Sequence, residues 1–124
     1  MPFLLNQPDY AVAILAVRED VVVLSDRTLT ASFHLSPTAV RENWPVRDAA
    51  ALVPADLTDL LADAPEVILL GTGARQVFPP TAVLAACLTR GIGIEVMDNH
   101  AAARTFAILA SEGRRVVAAF LLPG

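Results

Sequence analysis

The sequence predicts an α/β fold, a single domain spanning residues 1–124 in which helices pack on a central mixed β-sheet. Two features predict this fold. The first third of the chain is rich in β-branched and alternating apolar residues, which favour antiparallel strands. From residue 67 onward, apolar runs of strand length alternate with helical segments, which is typical of parallel strands joined by helical crossovers. A chain of 124 residues with 55% hydrophobic residues can bury a core without disulfides or a structural metal.

The first third predicts a hairpin followed by a further strand. Two β-branched runs, at residues 10–17 and 21–24, flank a charged turn, which indicates a β-hairpin. Residues 28–35 then alternate between apolar and polar side chains, and this two-residue period predicts a strand with one solvated face. His34 belongs to the polar set, so we expect it at the surface.

The rest of the chain predicts one helix and then a βαβαβ unit. Residues 36–53 show no regular period, and Trp44 within them is expected to cover part of the core. A helix is predicted to begin at Pro54, which suits a first turn, and to end at Pro65. The remaining strands are predicted at residues 67–71, 92–97 and 115–123, and the remaining helices at residues 79–91 and 99–113.

Composition argues against several classes of function. The net charge is −4, and the nine basic residues, all arginines, are scattered, so no basic face for nucleic acid is expected. Cys87 is the single cysteine, placed in a helix core, and His34 and His100 lack ligand spacing, so we expect no metal site. The longest uncharged run, residues 76–89, is shorter than the ~20 residues of a membrane span and contains two prolines. With no export signal at its start, the chain is expected to be cytoplasmic.

The turn Gly71-Thr72-Gly73 follows a buried strand, as phosphate-binding loops do, but it fits neither common nucleotide motif. A Walker loop requires a lysine, and the chain has none. The dinucleotide fingerprint requires a third glycine where Gln76 stands, and it requires backbone N–H donors that Pro79-Pro80 removes. The turn is therefore not expected to bind a nucleotide in either of these ways.

Parallel strands would still bring this turn close to the end of the next strand, because the carboxyl ends of parallel strands meet at one edge of a sheet. Three interpretations of that edge stay open: a purely structural turn, a contact surface for a protein partner, and a small-anion or catalytic site. In the structural interpretation, the two glycines permit a turn with positive φ, Arg75 pairs with an acid, and the residues that follow the second strand cap a helix. The candidate residues are Gly71, Thr72, Gly73, Arg75, Asp98, Asn99 and His100, with Asp98 as the expected mate of Arg75 and with Asp98 or Asn99 as the expected N-cap.

The last 60 or so residues also resemble a known family, the Mth938-domain family. This family includes mitochondrial complex I assembly factor 3, the adipogenesis-associated Mth938-domain protein and many small bacterial proteins of unassigned function. The resemblance is carried by the turn Gly71-Thr72-Gly73-x-Arg75, by Gly91-Ile92, by Asp98, by Thr105-Phe106 and by Glu112-Gly113-Arg114.

The resemblance implies a three-layer α/β fold whose last strand runs antiparallel to its neighbours, and it implies no catalytic residue and no cofactor. The mitochondrial members act through protein contacts. The sequence therefore predicts a non-enzymatic interaction or assembly factor with a protein partner, and its alanine-rich last helix makes a homodimer one alternative. The competing hypothesis is a small anionic-ligand binder or enzyme that uses the edge formed by residues 71–75 and 98–100.

Overall fold

The structure, a computed structural model, describes residues 12–124, so the predicted strand residues 10 and 11 lie outside the described part of the chain. Strands and helices follow the predicted order, with the helix predicted from Pro54 formed by a 3₁₀ turn, Pro54–Leu57, that continues into α1. The strands are β1 Ile14–Val17, β2 Val22–Leu24, β3 Thr28–Leu29, β4 Ala31–Leu35, β5 Val40–Arg41, β6 Val67–Gly71, β7 Gly93–Met97 and β8 Val116–Pro123. The α-helices are α1 Thr58–Ala62, α2 Thr81–Leu88 and α3 Asn99–Ser111.

A mixed sheet in the order β5-β4-β8-β6-β7 forms the centre of the fold, as predicted. Helical crossovers connect β6, β7 and β8, and all three strands run parallel. The last strand, β8, enters between β6 and β4. It is antiparallel to β4 but parallel to β6, so the expectation that it opposes both neighbours is corrected for β6. Each helical crossover, through α2 and through α3, carries the chain back to the same end of the sheet, so the strand that follows runs parallel to the strand that precedes it.

Strands β6 and β8 are buried on both faces, which explains their continuous apolar sequences. Alternate residues point into two separate cores. Val67 and Leu69 face one core, while Ile68 and Leu70 face the other. The two cores, with the central sheet between them, give the three layers that the family resemblance implied.

The first core is covered by α3 and by a small sheet in the order β1-β2-β3. The antiparallel pairing of β1 with β2 confirms the predicted hairpin from residue 14 onward. Phe106 of α3 is buried in this core, and Phe33 stacks on Phe120 with ring centroids 5.1 Å apart. The single strand predicted at residues 28–35 is wrong in one respect, because it breaks at Thr30 into β3 and β4, which belong to different sheets.

The second core is covered by α1, α2 and the irregular segment around Trp44. The Trp44 indole nitrogen donates to the Asp56 carbonyl (2.9 Å), and its backbone N–H donates to the Ser32 carbonyl (2.9 Å). This segment folds over the polar face of β4, so the expected solvated face is wrong for Ser32 and His34, which are both buried, while Thr28 and Thr30 are exposed. The prediction that Trp44 covers the core is confirmed.

Candidate functional site

The predicted site residues lie on a surface that we name the exit-loop rim, formed by residues 71–78 and 98–100. It lies at the carboxyl ends of β6 and β7, because those strands are parallel and in register from Val67 opposite Gly93 onward. The structure therefore confirms that the two loops are neighbours in space.

Backbone hydrogen bonds tie the two loops together directly. The Thr72 N–H donates to the Met97 carbonyl at 2.9 Å, which continues the sheet by one residue. The Asn99 N–H donates to the Gly73 carbonyl at 2.9 Å, and the Gly73 N–H donates back to Asn99 Oδ1 at 3.1 Å. This reciprocal pair fixes the distance between the loops.

Asn99 has a structural role that the sequence did not reveal. Its side chain is buried, and its Nδ2 donates to the Leu121 carbonyl on β8 at 3.1 Å, so one amide joins the β6 turn, α3 and β8. The helix cap is Asp98, whose Oδ1 accepts from the Ala101 N–H at 2.8 Å. Asp98 caps α3, which leaves the adjacent Asn99 amide available for another role. A helix needs only one N-cap, and this was the one sequence signal that could have separated the two residues.

The two glycines of the turn are required for different reasons. Gly73 has φ +98°, a left-handed conformation that confirms the predicted tight turn. Gly71 is an ordinary strand residue, so the expectation of a positive φ there is wrong. A Cβ at Gly71 would overlap Asn99 Oδ1 and lie 3.2 Å from both Ala102 Cβ and the Ala119 carbonyl oxygen. Gly71 thus permits the close approach of β6 and α3.

The side chains of Thr72 and Gln76 bond to nearby backbone groups. Thr72 Oγ1 donates to the Arg75 carbonyl at 2.5 Å and accepts from the Val77 N–H at 2.9 Å. Gln76 Nε2 donates to the Val96 carbonyl on β7, the edge strand of the sheet, at 2.8 Å. The turn is therefore fixed internally, and the side chains that bond within it are no longer available for chemistry.

Arg75, Phe78 and His100 are among the exposed side chains of the rim. Arg75 makes no ion pair with any residue among 12–124, and Asp98 is used as a helix cap, so the expected Arg75–Asp98 pair is wrong. His100 is exposed, in the first turn of α3. Phe78 is 62% exposed, a large apolar side chain three residues after Arg75.

The two cavities described in the structure lie away from this rim. One, of about 430 Å³, is at the opposite end of the sheet, lined by parts of segments 36–41, 63–65 and 110–117. The other, of about 560 Å³, lies beside Trp44 and Asp48. The concave pocket that a ligand-binding site at residues 71–75 and 98–100 would need is thus not provided by either cavity.

Two further sequence expectations concern single features of the chain. Cys87 is buried in the second core, as predicted, and burial raises the pKa of its thiol, which favours the unreactive protonated form. Within residues 12–124, the helices are all too short or too polar to cross a bilayer.

Comparison with known proteins assigns the family. The family described as protein of unknown function (DUF498/DUF598) matches residues 14–121. The chain belongs to this family. A solution structure from Xanthomonas campestris is 52% identical and superimposes with a TM-score of 0.86, over 100% of this chain and 94% of that one. A solution structure from Bordetella pertussis, described as a Mth938-like domain, is 30% identical with a TM-score of 0.78, over 91% of this chain and 87% of that one. The predicted fold class and the family resemblance are thereby confirmed.

Two relatives carry names that bear on function. NADH dehydrogenase [ubiquinone] 1 alpha subcomplex assembly factor 3 from Danio rerio is 37% identical over 89 residues, which is 72% of this chain and 51% of the fish protein. This chain therefore spans about half the length of that relative. A protein of Francisella tularensis subsp. holarctica (strain LVS) named 13 kDa major membrane protein is 32% identical over 83 residues, which is 66% of this chain and 68% of that protein.

Proposed function

We propose that this protein is a non-enzymatic interaction factor, an assembly or accessory protein, that binds a protein partner through the exit-loop rim. The observation that carries the proposal is the exposure of Phe78, which is 62% exposed three residues after Arg75, in a segment whose turn is internally fixed. The similarity to a complex I assembly factor supports an assembly role.

The chemistry of this rim suits a protein contact. Aromatic residues and arginine are enriched where protein interfaces are most strongly bound. The Arg75 guanidinium makes no ion pair within residues 12–124, so it can pair with a partner carboxylate without first breaking another bond. The expected partner surface therefore has an apolar pocket next to an acidic residue.

The rigidity of the segment favours binding as well. Thr72 fixes the turn on one side, and Pro79, which is buried, anchors the chain immediately after Phe78. A side chain held on an ordered segment loses less conformational entropy when it binds, so more of the contact energy appears as affinity.

Catalysis at the same rim has less support. The Asp98 carboxylate caps a helix, the Asn99 amide joins three elements, and the Thr72 hydroxyl closes the turn. Each group would have to release a structural hydrogen bond before it could act on a substrate. The buried free thiol of Cys87 is compatible with the reducing cytoplasm, which is the compartment that we propose.

The experiment compares two rim variants with two matched controls. Phe78→Ala and Arg75→Ala remove the proposed contacts, while Leu88→Ala (63% exposed) and Arg104→Ala remove similar surface groups elsewhere. A partner captured from the native cell extract is purified, and its affinity for each variant is measured. We expect Phe78→Ala to weaken binding by about thirtyfold, the loss of one interface hot spot of about 2 kcal/mol, and the controls to bind as wild type.

Equal affinity for all four variants would contradict the proposal, because the contact would then lie elsewhere. A second copy of this chain is the other occupant to be tested. If sedimentation shows a dimer that only the rim variants dissociate, the rim is a self-association surface and the proposed partner is wrong. Unchanged melting temperatures establish that each variant is folded.

A further inference from the structure

We propose that the cavity at the amino ends of β6 and β8, which we name the basic cleft, binds a small molecule with one carboxylate or phosphate group on an apolar body. The cleft is lined by parts of segments 36–41, 63–65 and 110–117 and encloses about 430 Å³. This volume lies within the range of about 300–1,000 Å³ that is typical of small-molecule sites.

Three parts of the chain meet to form the cleft. They are the β4–β5 hairpin, the segment that follows α1, and the turn from α3 into β8. Ala110 and Val116, which belong to the first core, and Val117, which belongs to the second, line the cleft at the end of the sheet. The cleft is thus fixed by the sheet and α3, and a hydrocarbon group placed against its apolar lining would be removed from water.

Positive charge is concentrated at this cleft, although the whole chain carries a net charge of −4. Arg41, Arg114 and Arg115 line the cleft, against the single carboxylate of Asp63. Glu66, just outside the lining, contacts Arg114 at 3.3 Å and Arg115 at 3.9 Å. Counting both carboxylates against the three guanidiniums leaves one positive charge in excess.

Arg41 is the guanidinium that is free to bind a ligand. It lies on β5, paired with His34 of β4 across the hairpin, and it makes no ion pair with any residue among 12–124. The adjacent carboxylate, Glu42, is already bonded to Arg27 at 3.0 Å. A ligand anion could therefore bind Arg41 without displacing a competing side chain.

The donor set indicates the kind of ligand. Guanidinium groups bind carboxylate and phosphate through two parallel N–H donors, and here they approach from two different elements, β5 and the turn before β8. The hydroxyls of Ser36 and Thr38 lie at the same wall with their oxygens 3.4 Å apart, and because one donates to the other, the pair offers one free donor. Asp63 would repel a second anionic group, which favours a ligand with a single charged head.

The basic cleft is independent of the proposed partner contact. It lies at the amino ends of the parallel strands, and the exit-loop rim lies at their carboxyl ends. Failure of one proposal therefore leaves the other unaffected, provided that the variants of each site are assayed for both activities.

The test uses three probes with the same ring: benzoate, phenyl phosphate and neutral benzyl alcohol. Each is titrated into ¹⁵N-labelled protein, and backbone amide shifts are followed. We expect the anionic probes to shift amides of residues 36–41 and 113–117. Arg41→Gln should weaken binding about tenfold, the effect of losing one charge-assisted hydrogen bond, while Arg104→Gln, an exposed arginine on α3, should bind as wild type.

Each outcome has a defined meaning. Binding of both anions at the cleft supports the proposal, and binding of only one supports it and identifies the head group. Shifts located outside the cleft, binding of benzyl alcohol equal to that of benzoate, or no binding at all would overturn it. If the amide spectrum shows that Arg41→Gln is misfolded, Arg114→Gln is used in its place. An unchanged affinity of the folded variant for the anionic probes overturns the proposal.

Discussion

The two ends of the parallel strands use polar residues in opposite ways. At the carboxyl ends, Thr72, Asp98 and Asn99 are close together, but their polar groups bond to backbone groups of the two loops, α3 and β8. At the amino ends, Arg41 makes no ion pair with the described residues and faces an open volume of about 430 Å³. This difference is why we propose a ligand site at the amino ends, where Arg41 retains unused hydrogen-bonding capacity.

The largest effect is expected from Gly71→Ala, which tests whether the carboxyl-end rim is as tightly packed as described. The added Cβ would overlap Asn99 Oδ1 and press on Ala102 and the Ala119 carbonyl, at a cost of about 3 kcal/mol of unfolding free energy. Urea denaturation measures this change. As a control, Gly91→Ala meets no atom within 4 Å and should cost only about 1 kcal/mol, for its left-handed φ of +72°. Equal losses for the two variants would show that close packing at Gly71 is not the cause.

The second prediction concerns the amide that joins the rim together. Asn99→Ala leaves the buried Leu121 carbonyl and the Gly73 N–H without their partner, at an expected cost of about 2 kcal/mol. The double variant with Gly71→Ala should be more stable than the sum of the two losses predicts, because the overlap with Oδ1 no longer exists. Strict additivity in the denaturation curves would mean that these two residues do not act on each other.

The third prediction is a pH dependence that arises at β4. Burial lowers the pKa of His34 below its ordinary value of 6.5, and it outweighs the carboxylates of Asp59 and Asp63, which raise the pKa. The Arg41 guanidinium lowers it further. Below pH 6.5 the unfolded chain binds a proton more readily than the folded one, so this contribution to stability is complete above that pH and is lost as the pH falls toward the folded pKa.

Urea denaturation from about pH 7.5 to about pH 5 measures the His34 effect. We expect His34→Gln to flatten the pH dependence across this range, and we expect a control variant of the exposed His100, His100→Gln, to retain it. Parallel curves for wild type and His34→Gln would show that the neutral form of His34 is not favoured by folding.

The smallest stability changes, and the sharpest contrast between the two ends, are expected from the exposed residues. Arg41→Gln and Phe78→Ala should each change the unfolding free energy by no more than about 0.5 kcal/mol. Arg41→Gln should weaken anion binding and leave partner affinity intact, while Phe78→Ala should do the reverse. If either variant impaired both activities, the two ends would belong to one coupled site, and the comparison would fail.

Sequence patterns were sufficient where burial is uniform. The continuous apolar runs of β6 and β8 predicted strands that are covered on both faces, and the structure confirms this for both strands. The glycine at position 73 predicted a left-handed turn, because few other residues adopt that conformation. These are local properties, which depend on a residue and its immediate neighbours.

The failures arose where distant segments meet. His34 was placed at the surface because its strand alternates, but residues around Trp44, which have no period of their own, cover that face. Gly71 was assigned to the turn, although its requirement comes from α3, nearly thirty residues later in the chain. The basic cleft was missed because Arg41 and Arg114 are far apart in sequence and become neighbours only through the sheet.

The hydrogen bond from Gln76 to the Val96 carbonyl has a consequence for aggregation. β7 is the outer strand of the central sheet, and an exposed outer strand is a template to which another chain can add a strand. The Gln76 amide occupies one of the acceptors that such an added strand would need. Growth of the sheet into an intermolecular ribbon at β7 would first require this side chain to be displaced, so we expect the glutamine to hinder edge-to-edge polymerisation.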